Sequence, residues 1–152
     1  MEYVSSAPPR HRAHLMTREV AGTVFAVTLA FMLLFPFVRL YLVGSSEPAT
    51  VLFLTKTDFG WNIFALALLL VPVVGVASSL FLRDGLALMA DSVLAIIGII
   101  MIPLTVLTLG AETGANAQLA SHVSFGVGMI PVTIMFLVIA ITAGIAAFQL
   151  RR

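Results

Sequence analysis

The sequence predicts an all-α membrane protein, an up-down bundle of four antiparallel transmembrane helices with both termini in the cytoplasm. Two observations support this. Apolar residues make up 61% of the 152 residues, with a mean hydropathy of +1.12, and they gather in four long runs. A helix of about 20 residues crosses a hydrocarbon layer of about 30 Å at ~1.5 Å per residue. The predicted spans are residues 21–43, 61–82, 86–109 and 123–149.

Residues 1–18 precede the bundle and are predicted to form a flexible cytoplasmic tail. They contain Pro8 and Pro9 and few apolar residues, a composition typical of segments that stay extended on their own. Residues 19–150 form the predicted membrane domain. The first apolar run has full spanning length and no small-residue cleavage site after a short core, so we expect it to be retained as the first helix.

The basic residues predict the orientation of the bundle. Six of the eight lie near the same predicted side, whereas Arg39 and Lys56 lie on the other. Because basic residues near the ends of spans concentrate in the cytoplasm, both termini are predicted to be cytoplasmic. An even number of spans independently requires the two termini to share a side. The six residues are Arg10, Arg12, Arg18, Arg83, Arg151 and Arg152.

The connections between the spans differ in length. Only residues 83–85 separate the second span from the third, so these two helices are expected to be antiparallel neighbours. The first outer connection, residues 44–60, includes an apolar run with high β propensity at residues 51–54. We interpret this run as a segment lying in the membrane interface. The alternative is a strand on which a partner docks.

Each predicted span contains one proline, and each proline is a candidate kink. A proline inside a helix removes one backbone hydrogen bond and displaces the preceding turn. Proline is also common in membrane helices, so these kinks need have no special purpose. The functional interpretation is an outer half that opens into a cavity or a groove for a partner. The four residues are Pro36, Pro72, Pro103 and Pro131.

Small residues in the second and fourth spans have the spacing that lets membrane helices approach closely. They are Gly75 and Ser79 in the second span, and Ala140, Gly144 and Ala147 in the fourth. The two sets lie at similar depth, in the predicted inner half. We expect these faces to pack on each other within the chain, and the alternative is a contact between subunits.

Asp91 is the one acidic residue clearly inside a predicted span. A carboxylate inside a membrane is costly and marks a candidate functional site. Together with Ser92 and Arg83 it forms a candidate polar site for an ion or a proton. A structural role is the favoured interpretation, either as a helix cap with Ser92 or as an ion pair with a nearby arginine. Ion or proton handling and partner binding are the alternatives.

The sequence contains no pattern typical of a catalytic, cofactor-binding or metal-binding site. Cysteine is absent, and the net charge of +1 gives no field that would attract nucleic acid. We therefore expect a non-catalytic accessory or scaffold subunit of a larger membrane complex, without a cofactor. Its expected partners are the lipid bilayer and other membrane subunits or further copies of itself. The alternative is a small transporter or oligomeric channel that uses Asp91.

Arginine outnumbers lysine seven to one and alanine is abundant, a bias that a GC-rich bacterial genome would give. The predicted location is therefore the bacterial inner membrane.

Overall fold

A computed structural model describes residues 17–35, 38–42, 49–51, 63–115 and 120–150; for residues 38–42, 49–51, 109–115 and 120–125 it describes the backbone alone. Along the chain the elements are α1 (Arg18–Leu34), β1 (Val38–Leu42), β2 (Ala49–Val51), α2 (Ile63–Phe81), α3 (Asp84–Ala115), β3 (Ala120–Phe125) and α4 (Met129–Leu150). Most of the predicted tail lies outside the described residues, and Arg18 already belongs to α1.

The prediction of four helices is confirmed, and the lengths and compositions of three of them support an integral membrane protein. Three helices are long and apolar enough to cross a membrane: α2, the segment Asp84–Thr108 of α3, and α4. Only 28% to 33% of the residues in these spans are buried within the chain. Most residues of these helices are therefore at least partly exposed, as expected of helices that contact lipid. α1 has 17 residues, a length of about 25 Å, slightly short of the hydrocarbon thickness.

The sequence around α1 explains where this helix begins and ends. Thr17 caps its first turn by accepting a hydrogen bond from the Val20 N–H at 3.3 Å. At the other end Phe35 has extended backbone angles, as the residue before a proline commonly does. The predicted span 21–43 is therefore wrong in its second part, because the helix stops at Leu34 and residues 38–42 form β1.

A three-stranded antiparallel sheet in the order β2-β1-β3 joins the two longer connections. Val38 of β1 pairs with Val51 of β2 on one side and with Phe125 of β3 on the other. β2 lies between α1 and α2, and β3 lies between α3 and α4. The sheet therefore lies at the end of the bundle opposite the short turn at Arg83. The β-prone run predicted at residues 51–54 overlaps β2 only at Val51, and residues 52–54 lie outside the described residues.

β3 also corrects the predicted fourth span, 123–149. Residues 120–125 are strand, and α4 begins at Met129. Pro131 is consequently the third residue of α4, where its missing N–H breaks no helical hydrogen bond, so the predicted kink there is wrong. Pro72 and Pro103 lie inside α2 and α3, as predicted from the sequence. Pro36 lies outside the described residues.

The four helices pack as a ring in which α1 and α3 each contact both α2 and α4. The centre of the ring is apolar and contains fully buried Phe25 of α1 and Phe136 of α4. Their ring centroids are 6.3 Å apart with an interplanar angle of 59°, a tilted arrangement that aromatic side chains favour. The remaining large core side chains are Met32, Leu68, Leu88, Ile102, Val132 and Ile139.

Candidate functional site

Asp91 lies inside α3, seven residues after the helix begins at Asp84, which corresponds to about 10 Å along the axis. Its side chain is fully buried, with 0% exposure. A cap stands before the first turn of a helix, so the interpretation of Asp91 and Ser92 as a helix cap is wrong. Asp91 is instead an internal residue of a predicted span, as its place in the sequence suggested.

Two serines of α2 surround the Asp91 carboxyl group. Ser78 Oγ is hydrogen-bonded to Asp91 Oδ1, and Ser79 Oγ lies 3.3 Å from Asp91 Oδ2. The same hydroxyl oxygens lie 2.9 Å and 3.0 Å from the carbonyl oxygen of Gly75. Gly75, Ser78, Ser79 and Asp91 form one connected group, which we call the polar cluster. It joins α2 to α3.

The turn between α2 and α3 explains why these residues meet. Ser78 and Ser79 come shortly before Arg83 in α2, and Asp91 comes eight residues after it in α3. Helical side chains lean toward the N-terminus of their own helix. The serine side chains therefore lean away from the turn, whereas Asp91 leans toward it, so the groups meet between the two backbones.

α1 also packs against the polar cluster, which lies between α2 and α3. A β-carbon added to Gly75 would lie 2.4 Å from the ring of Phe25, and one added to Gly22 would lie 2.8 Å from Ser79 Cβ. Ser78 and Ser79 are themselves only 8% and 7% exposed. Asp91 is therefore packed between three helices, whereas Ser78 also lines the inner edge of an apolar groove between α2 and α3.

Neither Arg18 nor Arg83, the two arginines whose side chains the structure describes, pairs with the Asp91 carboxyl group. Arg83 is exposed in the turn, and among the described residues the ion pair at this end joins Arg18 Nε to Asp84 Oδ1 at 3.1 Å. Arg18 also donates from its guanidinium to the carbonyl oxygen of Leu82 at 3.1 Å. The predicted ion pair of Asp91 with a neighbouring arginine is therefore wrong for both Arg83 and Arg18. Arg151 lies outside the described residues.

Ser92 belongs to a different contact from Asp91, although the two are adjacent in the sequence. Its hydroxyl donates to the carbonyl oxygen of Ala140 in α4 at 2.9 Å. A β-carbon on Gly144 would lie 3.0 Å from Ser92 Oγ, so the absence of a side chain there gives Ser92 its room. Successive residues of a helix point in different directions, about 100° apart. Ser92 therefore links α3 to α4, and Asp91 links α3 to α2.

The predicted contact between the small faces of the second and fourth spans is wrong. Gly75 and Ser79 lie against α1 and α3, whereas Gly144 lies against Ser92 of α3. The ring arrangement explains this, because α2 and α4 each pack on α1 and α3. Ala147, the last of the predicted small residues, is buried with 4% exposure.

Ser78 is the one residue of the cluster that was not predicted from the sequence. The signal available was a pair of adjacent hydroxyl residues inside an otherwise apolar span, close before a very short turn. Across that turn, the pair faces the early part of the next helix, where Asp91 lies. A carboxyl group inside a membrane needs hydrogen-bonding partners, and these two hydroxyl groups could supply them.

Comparisons with protein-family models, curated proteins and solved structures found no match for this chain. Within the described residues, no group of three or more His, Cys, Asp or Glu side chains stands close enough to hold a metal ion. The chemistry of the polar cluster rests on one carboxyl group, two hydroxyls and one carbonyl. These groups can bind and orient a proton and can hold two helices together.

Proposed function

We propose that this protein is a non-catalytic accessory or scaffold subunit that stabilises a larger membrane complex. The main support is the environment of Asp91, which has 0% exposure and is enclosed by Ser78, Ser79 and the Phe25 side of α1. A transporter or channel that used Asp91 would require this carboxyl group to face a hydrated path. A scaffold is compatible with a carboxyl group that is dry and hydrogen-bonded between helices.

The proposal includes an up-down antiparallel bundle with cytoplasmic termini in a bacterial inner membrane. Contacts between α1 and α2 support opposite directions, since Gly22 lies near Ser79 and the later Phe25 lies near the earlier Gly75. Contacts between α3 and α4 follow the same rule, with Ser92 near Gly144 and the later Gly98 near the earlier Phe136. The arginine distribution supports placing the Arg83 turn in the cytoplasm.

The exposed outer surface of the helices is apolar, which supports the proposal of apolar partners. Large hydrophobic side chains at helical spacing remain exposed on the outside of α3 and α4. In a membrane they contact lipid, other subunits or another copy of the chain. The set includes Val93, Ile96, Ile97 and Ile100 in α3 and Ile130, Ile134, Leu137, Val138 and Ile141 in α4.

The test is a parallel measurement of assembly and flux. The full chain is purified in a mild detergent, its stoichiometry is read by native mass spectrometry, and the same preparation is reconstituted into liposomes with pH- and Na⁺-sensitive dyes. We expect a defined complex with other membrane chains or copies of itself, and no flux above that of empty liposomes.

The contrary outcome would favour the alternative of a small transporter or oligomeric channel. That outcome is a proton- or Na⁺-dependent flux that disappears in a stable, assembled Asp91→Asn variant. A matched Asp84→Asn variant serves as control, because Asp84 lies at the exposed end of α3 with 73% of its side chain accessible.

A further inference from the structure

The polar cluster has more close oxygen pairs than hydroxyl protons to fill them. Each of Ser78 and Ser79 lies within hydrogen-bonding reach of both a carboxyl oxygen of Asp91 and the carbonyl oxygen of Gly75. This makes four oxygen–oxygen contacts. A serine hydroxyl has a single proton to donate. If Asp91 is ionised, the two hydroxyl protons can fill only two of the four contacts. The other two contacts then join pairs of oxygen atoms with no proton between them.

No positive charge in the described part of the chain faces Asp91. α2 and α4 contain no titratable side chain, and α1 contains Arg18 and Glu19 in its first turn. The other titratable residues of α3 are Asp84 and Glu112, and Glu112 is about 32 Å from Asp91 along the helix axis. Arg18 is engaged with Asp84 and Leu82, and Arg83 is exposed. An isolated buried carboxylate is costly enough that such a group neutralises itself instead.

We propose that Asp91 binds a proton in the folded bundle, so that a carboxylic acid rather than a carboxylate joins α2 to α3. Asp91 Oδ1–H donates to Ser78 Oγ, and the Ser78 hydroxyl donates to the carbonyl oxygen of Gly75. The Ser79 hydroxyl donates to Asp91 Oδ2. Three protons then fill three of the four contacts, which leaves only the one between Ser79 Oγ and the carbonyl oxygen of Gly75 without a proton, and no buried charge remains.

This proton site is independent of the proposed scaffold role, since it follows from the geometry of the cluster alone. It makes the α2–α3 contact sensitive to pH. In an unfolded chain an aspartate ionises near a pKa of about 3.9. The folded state then binds one proton more than the unfolded state from about this pH up to the pH at which the folded bundle itself releases the proton. By linkage, the folding equilibrium constant falls by up to tenfold for each pH unit of increase in that range.

The first test measures unfolding of the full-length chain in a mild detergent between pH 5 and pH 8. We expect the wild type to become less stable as the pH rises. Asp91→Asn should lose this component of the pH dependence, because the amide supplies a permanent donor to Ser78 and an acceptor to Ser79. Asp84→Asn, which removes a carboxyl group outside the cluster, should retain it.

The second test is infrared spectroscopy of the wild type at pH 7, which needs no substituted protein to fold. A protonated carboxyl group gives a carbonyl band separate from that of carboxylates. We expect this band in the wild type, its loss in Asp91→Asn and its displacement in Ser78→Ala, where the acid loses its hydrogen-bond acceptor.

Three results would overturn the proposal. The first is a wild type without the acid band at pH 7, and the second is a band that neither Asp91→Asn nor Ser78→Ala alters. The third is stabilisation of the wild type, but not of Asp91→Asn, when Na⁺ replaces choline at constant pH. That result would show an ionised carboxylate with a bound metal ion in place of the proton.

Discussion

The ring of Phe25 lies directly against the backbone of Gly75, so that a β-carbon on Gly75 would come within 2.4 Å of the ring. Phe25 is fully buried and also contacts Phe136, which leaves the ring no open space to enter. The approach of α1 to α2 therefore depends on the missing side chain. Ser79 follows Gly75 by one helical turn, so the same approach brings α1 over the polar cluster.

Gly75→Ala is expected to destabilise the bundle by about 1 to 3 kcal/mol, the usual cost of overpacking a filled core. The measurement is the unfolding free energy in a mild detergent. Gly85→Ala is the matched control, because nothing lies within 4 Å of a β-carbon there. It should be neutral or slightly stabilising, since alanine favours a helix by about 1 kcal/mol over glycine. Equal costs at the two positions would show that the Phe25 contact does not limit the packing.

Gly98 and Phe136 are expected to be energetically coupled. A β-carbon on Gly98 would lie 2.9 Å from the Phe136 ring, so Gly98→Ala should be destabilising in the wild type. In a Phe136→Ala background the ring is gone, and the added methyl group enters the cavity instead. Phe136→Ala alone should cost about 3 to 5 kcal/mol.

A double-mutant cycle measures this coupling. We expect an interaction energy of about 1 to 3 kcal/mol, with Gly98→Ala nearly neutral or favourable once the ring is absent. Phe81→Ala is the control for loss of an aromatic side chain, since Phe81 is 84% exposed on the outside of α2. Additive effects of Gly98→Ala and Phe136→Ala would contradict the described contact.

The ion pair between Arg18 and Asp84 is expected to contribute little to stability. The two side chains are 39% and 73% exposed, and exposed ion pairs contribute about 0 to 1 kcal/mol because water screens them. Asp84→Asn should therefore change the unfolding free energy by less than about 1 kcal/mol, and by less still at high salt. A larger loss would mean that this end of the bundle is shielded from water.

The apolar runs were sufficient to predict the helices of the bundle, because a membrane span needs a long apolar segment whatever its neighbours are. They were insufficient to predict where α1 and α4 meet the sheet. Residues 38–42 and 123–125 are as apolar as parts of a span, yet they form strands. β1 pairs with β3, which lies about 80 residues later in the sequence. Hydropathy contains no information on such non-local pairing.

Of the polar cluster, only Asp91 was predicted as a polar site, whereas Gly75 and Ser79 were predicted only as packing residues. Asp91 stands out in the sequence because a carboxyl group in a span is rare. Its partners depend on which face of α2 meets α3, and two adjacent residues such as Asp91 and Ser92 point toward different helices. The small residues Gly75 and Gly144 were recognised as packing positions, but the helices that they face follow from the ring arrangement rather than from their spacing.

The two ends of α3 are expected to lie on opposite sides of the membrane. Gly85 and Gly114 are separated by 29 residues of one helix, or about 44 Å, which exceeds the hydrocarbon thickness of about 30 Å. The chain has no native cysteine, so Gly85→Cys and Gly114→Cys each introduce a single labelling site.

A membrane-impermeant maleimide added to intact cells should label the cysteine at position 114, near the sheet, and not the one at position 85. Position 85 should react only after the membrane is opened, because the distribution of basic residues predicts that its turn is cytoplasmic. Labelling of both positions from the same side would mean that α3 does not cross the membrane. Labelling of position 85 alone in intact cells would place the sheet in the cytoplasm and would show that the arginines do not determine the orientation of this bundle.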